Sequence, residues 1–115
     1  MEDIIGRYLG AIVGNDWDAL KACLADDVVR VGPYGDSYTG RDEYVAFIAD
    51  VMPRLPGYEM RVDRVTYAGA VALAELSETI EVSGKRHRTP EALVFDLDDD
   101  GRIRRIEIFM QTLSS

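Results

Sequence analysis

Two glutamates in the second half of the chain, Glu78 and Glu91, stand where the hydrophobic pattern calls for apolar residues. Along residues 70–82, Ala72, Ala74, Leu76, Ile80 and Val82 alternate onto one face, and Glu78 falls in that set. Along residues 87–98, Leu93, Phe95 and Leu97 share a face, with Glu91 on the same side. Successive strand side chains point to opposite faces, so two carboxyls are directed at the side of a sheet that should be buried. Ser83-Gly84-Lys85-Arg86 is the predicted turn between the two segments. Centred between Gly84 and Lys85, it places Val82 opposite His87, Leu76 opposite Leu93 and Glu78 opposite Glu91, with facing Cβ atoms about 4.5–5.5 Å apart. With Ser83-Gly84 as the turn, the glutamates become diagonal neighbours, still within side-chain reach. In either register, two carboxyls in partly apolar surroundings cannot both ionise cheaply. One keeps its proton near neutral pH while the other accepts, an arrangement suited to general acid–base catalysis. Arg30, Arg64 or Arg88 could instead neutralise the pair and make it a structural ion network.

A second group sits on the first helix. Tyr8 lies on its apolar face, where its hydroxyl could donate to a developing oxyanion or simply be buried with one satisfied bond. Trp17 has the spacing of a packing anchor or of a pocket wall. Tyr34 and Tyr38 flank a polar loop and could stack on a flat ligand. Phe47, Leu76, Leu93, Phe95, Ile108 and Met110 are the apolar residues expected to wall a pocket, or to fill it.

The elements that position these groups follow from periodicity. Ile4, Ile5, Tyr8, Leu9, Ile12 and Val13 recur on one helical face, and Gly14 stops it. Asn15 or Asp16 caps a short second helix carrying Trp17, Leu20 and Leu24. After Ala25-Asp26-Asp27, the β-branched run Val28–Val31 predicts a strand ended by Gly32-Pro33. Thr39 and Asp42 have capping-box spacing before a third helix bearing Tyr44, Phe47, Ile48 and Val51, which Pro53 and Pro56-Gly57 end. The period then changes from 3.6 to 2. Strands are predicted over residues 58–68, 70–82, 87–98 and 102–113, with Asp98–Gly101 as the sharpest turn signal. Helix, helix, strand, helix and four antiparallel strands describe an α+β domain.

Composition bounds the function. The chain has 115 residues, room for one domain (residues 1–115), and 47% of them are apolar. Its 21 acidic and 13 basic residues give a net charge of −8. Nucleic acid and anionic membrane are poor partners for such a surface. One cysteine, Cys23, and one histidine, His87, build neither a disulfide nor a zinc cluster. His87 sits beside a basic turn, and Asp98–Asp100 lacks the spacing of a calcium loop. The acidic start lacks a signal peptide's pattern, and the apolar runs are too short to span a bilayer. The expectation is a soluble, reduced, cytoplasmic protein without cofactor or metal.

The order and spacing of several segments resemble the nuclear transport factor 2-like fold, which includes ketosteroid isomerases and SnoaL-like polyketide cyclases. The resemblance covers nearly the whole chain. It is carried by Arg7-Tyr8-Leu9, by Asn15 to Leu20, by Ala25 to Val28, by Gly32-Pro33, by Gly40-Arg41-Asp42 and by Asp99 to Ile103. It implies a cone-shaped, curved, mainly antiparallel sheet packed against three N-terminal helices around an apolar pocket. It also implies a homodimer, with Val71, Leu73, Ala92, Val94 and Phe109 on the outward sheet face. In the isomerases, the oxyanion-hole tyrosine corresponds to Tyr8. The base position falls on the pocket residue Gly32 and the protonated aspartate on Leu93, so their mechanism does not transfer. Glu78 and Glu91 fall on pocket-lining positions. The cyclases' catalytic aspartate and histidine have no match here.

The reading is therefore a small cofactor-independent enzyme that isomerises, cyclises or dehydrates an apolar, ring-containing or polyketide-like molecule. Glu91 is the principal acid/base, Glu78 its tuning partner and Tyr8 the orienting donor. The alternative is a non-catalytic module for ligand binding or dimerisation. A pocket filled by its own side chains would remove both ligand readings.

Overall fold

The computed structural model describes residues 3–111. Helix α1 spans Ile4–Val13. Asp3 caps it by accepting from the Gly6 amide at 2.6 Å, and the Gly14 N–H closes its other end on Gly10. Asn15 adopts a left-handed φ of 53°, so it forms the corner, and Asp16 alone caps α2, Trp17–Cys23. The chain passes directly into β1, Leu24–Val31. This strand begins four residues before the β-branched run, because Leu24 pairs with Ile103 ahead of a shift in the ladder.

A three-residue strand, β2 (Ser37–Thr39), was not apparent from periodicity, being too short to show a period. It pairs antiparallel with β1. Thr39 therefore belongs to a ladder and does not cap the following helix. Gly40, at φ 96°, occupies that N-cap without a side-chain bond. Helix α3 runs Arg41–Val51, with Asp42 and Glu43 favourably placed in its first turn. A 3₁₀ turn, Met52–Arg54, carries Pro53 at its start, where the missing N–H costs nothing.

Strands β3 (Glu59–Ala68), β4 (Val71–Val82), β5 (Lys85–Leu97) and β6 (Ile103–Met110) form an antiparallel meander. Thr112 and Leu113, the end of the expected last strand, lie outside the described residues. The sheet order is β2-β1-β6-β5-β4-β3. Only β1 and β6 pair in parallel, which makes the six-stranded sheet mixed; it is curved and not closed. Among the described residues, no helix is long and apolar enough to cross a membrane.

The core lies between the helices and the concave sheet face. Ile5, Tyr8, Leu9 and Ile12 from α1 and Tyr44, Val45 and Ile48 from α3 meet Ala72, Ala74, Leu76, Leu93, Phe95 and Ile106 from the sheet. Burying each large aliphatic side chain contributes roughly 1.5–3 kcal/mol. Small Ala72 and Ala74 on β4 leave room for the Tyr8 and Phe95 rings, which meet edge to face with centroids 5.3 Å apart.

Candidate functional site

The β4–β5 hairpin decides where the glutamates meet. Ser83 and Gly84 both have positive φ, 53° and 77°. This is the backbone of a two-residue type I′ turn, whose twist matches that of the flanking strands. Val82 therefore pairs with Lys85, Leu76 with Glu91 and Glu78 with Thr89. The register centred between Gly84 and Lys85 is excluded, and the glutamates are diagonal rather than directly opposite.

They nevertheless bond. Glu91 is 8% exposed, and its carboxyl shares a hydrogen bond with that of Glu78. Burial, then that bond, then the Glu78 charge push the Glu91 pKa from 4.5 up to about 9, against an opposing pull from Arg30. Glu91 thus keeps its proton at neutral pH. Tyr58 donates to Glu78 Oε2. Its hydroxyl pKa is raised by burial and then by the Glu78 charge, so it remains a donor. Tyr58 stands one residue before β3 and carries no motif, so nothing in the sequence singled it out.

The paired carboxyls open on a cavity of about 180 Å³. Tyr8, Leu9 and Ile12 of α1 wall one side, and Tyr44, Phe47, Ile48 and Val51 of α3 another. The sheet supplies Arg30, Met60, Leu76, Glu78, Glu91, Leu93 and Ile108, and Met52 and Leu55 close the end. The pocket is not filled by its own side chains.

Tyr8 does not act alone. Its hydroxyl lies 2.5 Å from that of Tyr44. Burial, then Tyr44, raise the Tyr8 pKa well above its ordinary value, and burial raises that of Tyr44 to about 12. Two hydroxyls that share one proton retain a second, which is free for an acceptor. Tyr44 has the spacing of a core residue, and only the fold reveals it as Tyr8's partner.

Arg30 is the arginine that reaches the cavity. Its Nη1 pairs with Asp36 Oδ2 at 3.1 Å. Its guanidinium carbon lies 5.2 Å from the Phe47 ring centroid and 5.9 Å from that of Tyr38. Arg64 instead pairs with Glu75, and Arg88 Nε donates to Ser77 Oγ at 3.1 Å. Neither of these neutralises the glutamates.

Six of the residues expected at the pocket lie off its wall. Tyr38 stacks behind Phe47, ring centroids 4.1 Å apart. Phe95 lies fully buried behind Tyr8. Trp17 packs on the core from α2. Gly32 is buried beneath the ion pair, and a Cβ there would stand 2.4 Å from Asp36 Oδ1 and 2.8 Å from Arg30 Nη1. Tyr34 and Met110 line a separate, more open depression with His87, Arg88, Thr89, Pro90 and Gln111. Loop position and strand parity alone do not separate the concave face from the sheet's rim. Among the described residues, no group of three or more His, Cys, Asp or Glu side chains could hold a metal ion.

The sequence profile of the SnoaL-like domain matches residues 5–106. The chain belongs to this family. Solved structures extend the likeness. A LEH-like epoxide hydrolase of Mycobacterium tuberculosis superposes with a TM-score of 0.81 at 24% identity, over 94% of this chain and 80% of that one. A Catenulispora acidiphila protein with a ketosteroid isomerase-like fold, in complex with trimethylamine, gives 0.82 at 20% identity, over 97% and 87%. A Shewanella denitrificans protein named as a SnoaL-like polyketide cyclase gives 0.82 at 13% identity, over 94% and 88%. At these identities the likeness establishes a common fold for this SnoaL-like domain, not a common reaction. No protein of curated function matches the chain in sequence.

Proposed function

We propose that this SnoaL-like domain is a cofactor-independent acid–base enzyme that isomerises, cyclises or dehydrates a small apolar ring-containing molecule. The observation that carries the reading is the buried Glu91, which keeps its proton beside the accepting carboxyl of Glu78 at the wall of an apolar cavity. Such a pair can give a proton to a substrate oxygen and take one from carbon without a separate cofactor. In this scheme Glu91 is the principal acid/base, Glu78 is its tuning partner, held by the hydrogen bond from Tyr58, and the Tyr8–Tyr44 pair orients the substrate oxygen with its free proton. The isomerase layout remains closed to this chain, because Gly32 and Leu93 carry no titratable group.

The test needs no known substrate. Exchange of the hydrogens beside the carbonyl of cyclohexanone for deuterium is followed by proton NMR. The protein should accelerate exchange, and Glu91→Gln should lower the rate by a factor of about 100 or more. The acid form of Glu91 should be lost as pH rises through about 9. Full exchange activity in Glu91→Gln would refute the assignment. We also propose a homodimer through the outward sheet face, where Val71 and Phe109 are 41% and 53% exposed. Sedimentation of the wild type against Phe109→Glu tests it, and a wild-type monomer would refute it.

A further inference from the structure

Helix α1 and strand β3 leave an apolar groove of about 530 Å³ between them. Leu9, Gly10 and Val13 form one wall, and Met60, Val62 and Val65 the other. Val13 and Val62 are 52% and 44% exposed. Among the described residues that line the groove, only Asp3 carries a charge, and its carboxyl accepts from the Gly6 amide at 2.6 Å. The groove adjoins the cavity of the glutamate pair, because Leu9 and Met60 line both. Met60 pairs across the β3–β4 ladder with Glu78, and Val62 with Leu76. Groove and cavity therefore lie on the same face of the sheet, one strand spacing or about 4.8 Å apart. Met60 is unbranched, with three rotatable side-chain bonds, so it can turn aside without a change in the backbone. A depression on the outer sheet face also touches Leu76 and Glu91, but its Glu75, Ala92 and Phe109 point away from the core and the sheet backbone intervenes.

Volume fixes how the two spaces divide a ligand. A cavity of about 150 Å³ accepts benzene, and the one at the glutamates measures about 180 Å³. A single ring fills it. Further apolar bulk finds apolar room on the same sheet face only past Leu9 and Met60. We infer that cavity and groove form one two-part site for a ring bearing a neutral apolar chain, with the ring beside Glu78 and Glu91 and the chain along the α1–β3 groove. A chain ending in a charge would give up its hydration against the valines, and an anionic one would also meet Asp3. The inference rests on the reading above only in taking this cavity as the functional site. It makes Met60 and Val62 specificity-determining residues for the chain, apart from the Glu91 and Tyr8–Tyr44 donors that face the ring's oxygen.

NMR titration of the protein compares cyclohexanone, 2-butylcyclohexanone, 4-butylcyclohexanone and 2-oxocyclohexanepropanoate, whose chain ends in a charge. Each CH₂ taken from water adds about four-fold in affinity, so a half-buried butyl chain should add about ten-fold or more in at least one of the two isomers. The butyl ketone should shift the Val62 and Val65 methyl resonances, and cyclohexanone should not. The propanoate should gain nothing over cyclohexanone. Two variants obstruct the groove from opposite walls. A Cβ at Gly10 meets nothing within 4 Å, so Gly10→Leu fills the groove while improving the helix. Val62→Glu places a charge at an exposed position. Loss of the butyl gain in either variant, with cyclohexanone affinity unchanged, supports the inference. It is overturned if neither butyl ketone binds more tightly than cyclohexanone, if the valine methyls do not respond, if the propanoate binds as well as the butyl ketone, or if the gain survives both variants. The wild-type comparisons decide this even if a variant fails to fold. The two readings fail separately, because the titration reads no turnover and the exchange assay reads no affinity. Cyclohexanone binding without a gain from the chain overturns the groove alone. A chain gain with exchange unaltered in Glu91→Gln overturns the acid–base assignment alone.

Discussion

Replacing Glu91 with glutamine should stabilise the protein, and the gain should depend on pH. The folded carboxyl releases its proton at about 9, whereas its ordinary value is 4.5. Between these values the folded state binds the proton and the unfolded state does not, so stability falls as pH rises through the window. Near pH 7, holding the proton against its ordinary ionisation costs about 3 kcal/mol at 1.36 kcal/mol per pH unit. Partial solvent screening of the pair reduces this to about 1–3 kcal/mol. Glutamine has the shape of the protonated acid and can still donate to Glu78, but its side chain ionises in neither state. Glu91→Gln should therefore exceed wild-type stability by about 1–3 kcal/mol near pH 7. The gain should grow toward pH 9 and vanish as pH falls through 4.5. Urea unfolding followed by circular dichroism gives both stabilities across the range, and their difference cancels the other titrating groups. A difference that does not vary with pH, or a variant less stable throughout, would refute the claim that Glu91 is buried as the neutral acid. The gain in stability should accompany the loss of exchange activity, the trade expected when a strained group serves chemistry.

Three further outcomes follow from the same geometry. Tyr8→Phe leaves the buried Tyr44 hydroxyl without its partner and should cost about 1–3 kcal/mol. Adding Tyr44→Phe should cost less than the sum of the single changes, and a double-mutant cycle in urea measures the difference. Gly32→Ala drives a methyl into the Arg30–Asp36 pair; it should lower stability by about 1–3 kcal/mol and shift the Arg30 side-chain resonances. Ser83→Asn supplies the residue preferred at the first central position of a type I′ turn and should raise stability by roughly 0.5–1 kcal/mol, read as a higher melting temperature.

Local physics makes much of this protein legible in its sequence. Helix α1 ends where its apolar stripe and Gly14 predict, and the carboxyl of Asp16 caps α2. The β4 and β5 faces are those that parity assigns, with Ala72, Ala74, Leu76, Leu93 and Phe95 buried. Strand alternation is a two-residue rule, so a carboxyl in the apolar series stands out without knowledge of the fold. Glu78 and Glu91 are such carboxyls. Register, by contrast, depends on which residues accept positive φ. A serine at that position carries a weaker signal than the glycine beside it, so the residue pattern alone allows two pairings and the turn geometry selects one.

Strand alternation is set by each residue's own backbone, so the residue order alone directs two acidic side chains to the core side of a β-hairpin. What surrounds them is set by contacts between distant segments. The parallel pairing of β1 with β6, the closure of α3 over Arg30 and the arrival of Tyr58 at Glu78 join residues far apart in the chain. Tyr8 and Tyr44 are likewise 36 residues apart. Such contacts leave no periodic trace, since each partner satisfies its own local pattern as an ordinary core residue. The burial that holds the proton on Glu91 arises from these long-range contacts, so the chemistry of the glutamate pair belongs to the fold as much as to the residues.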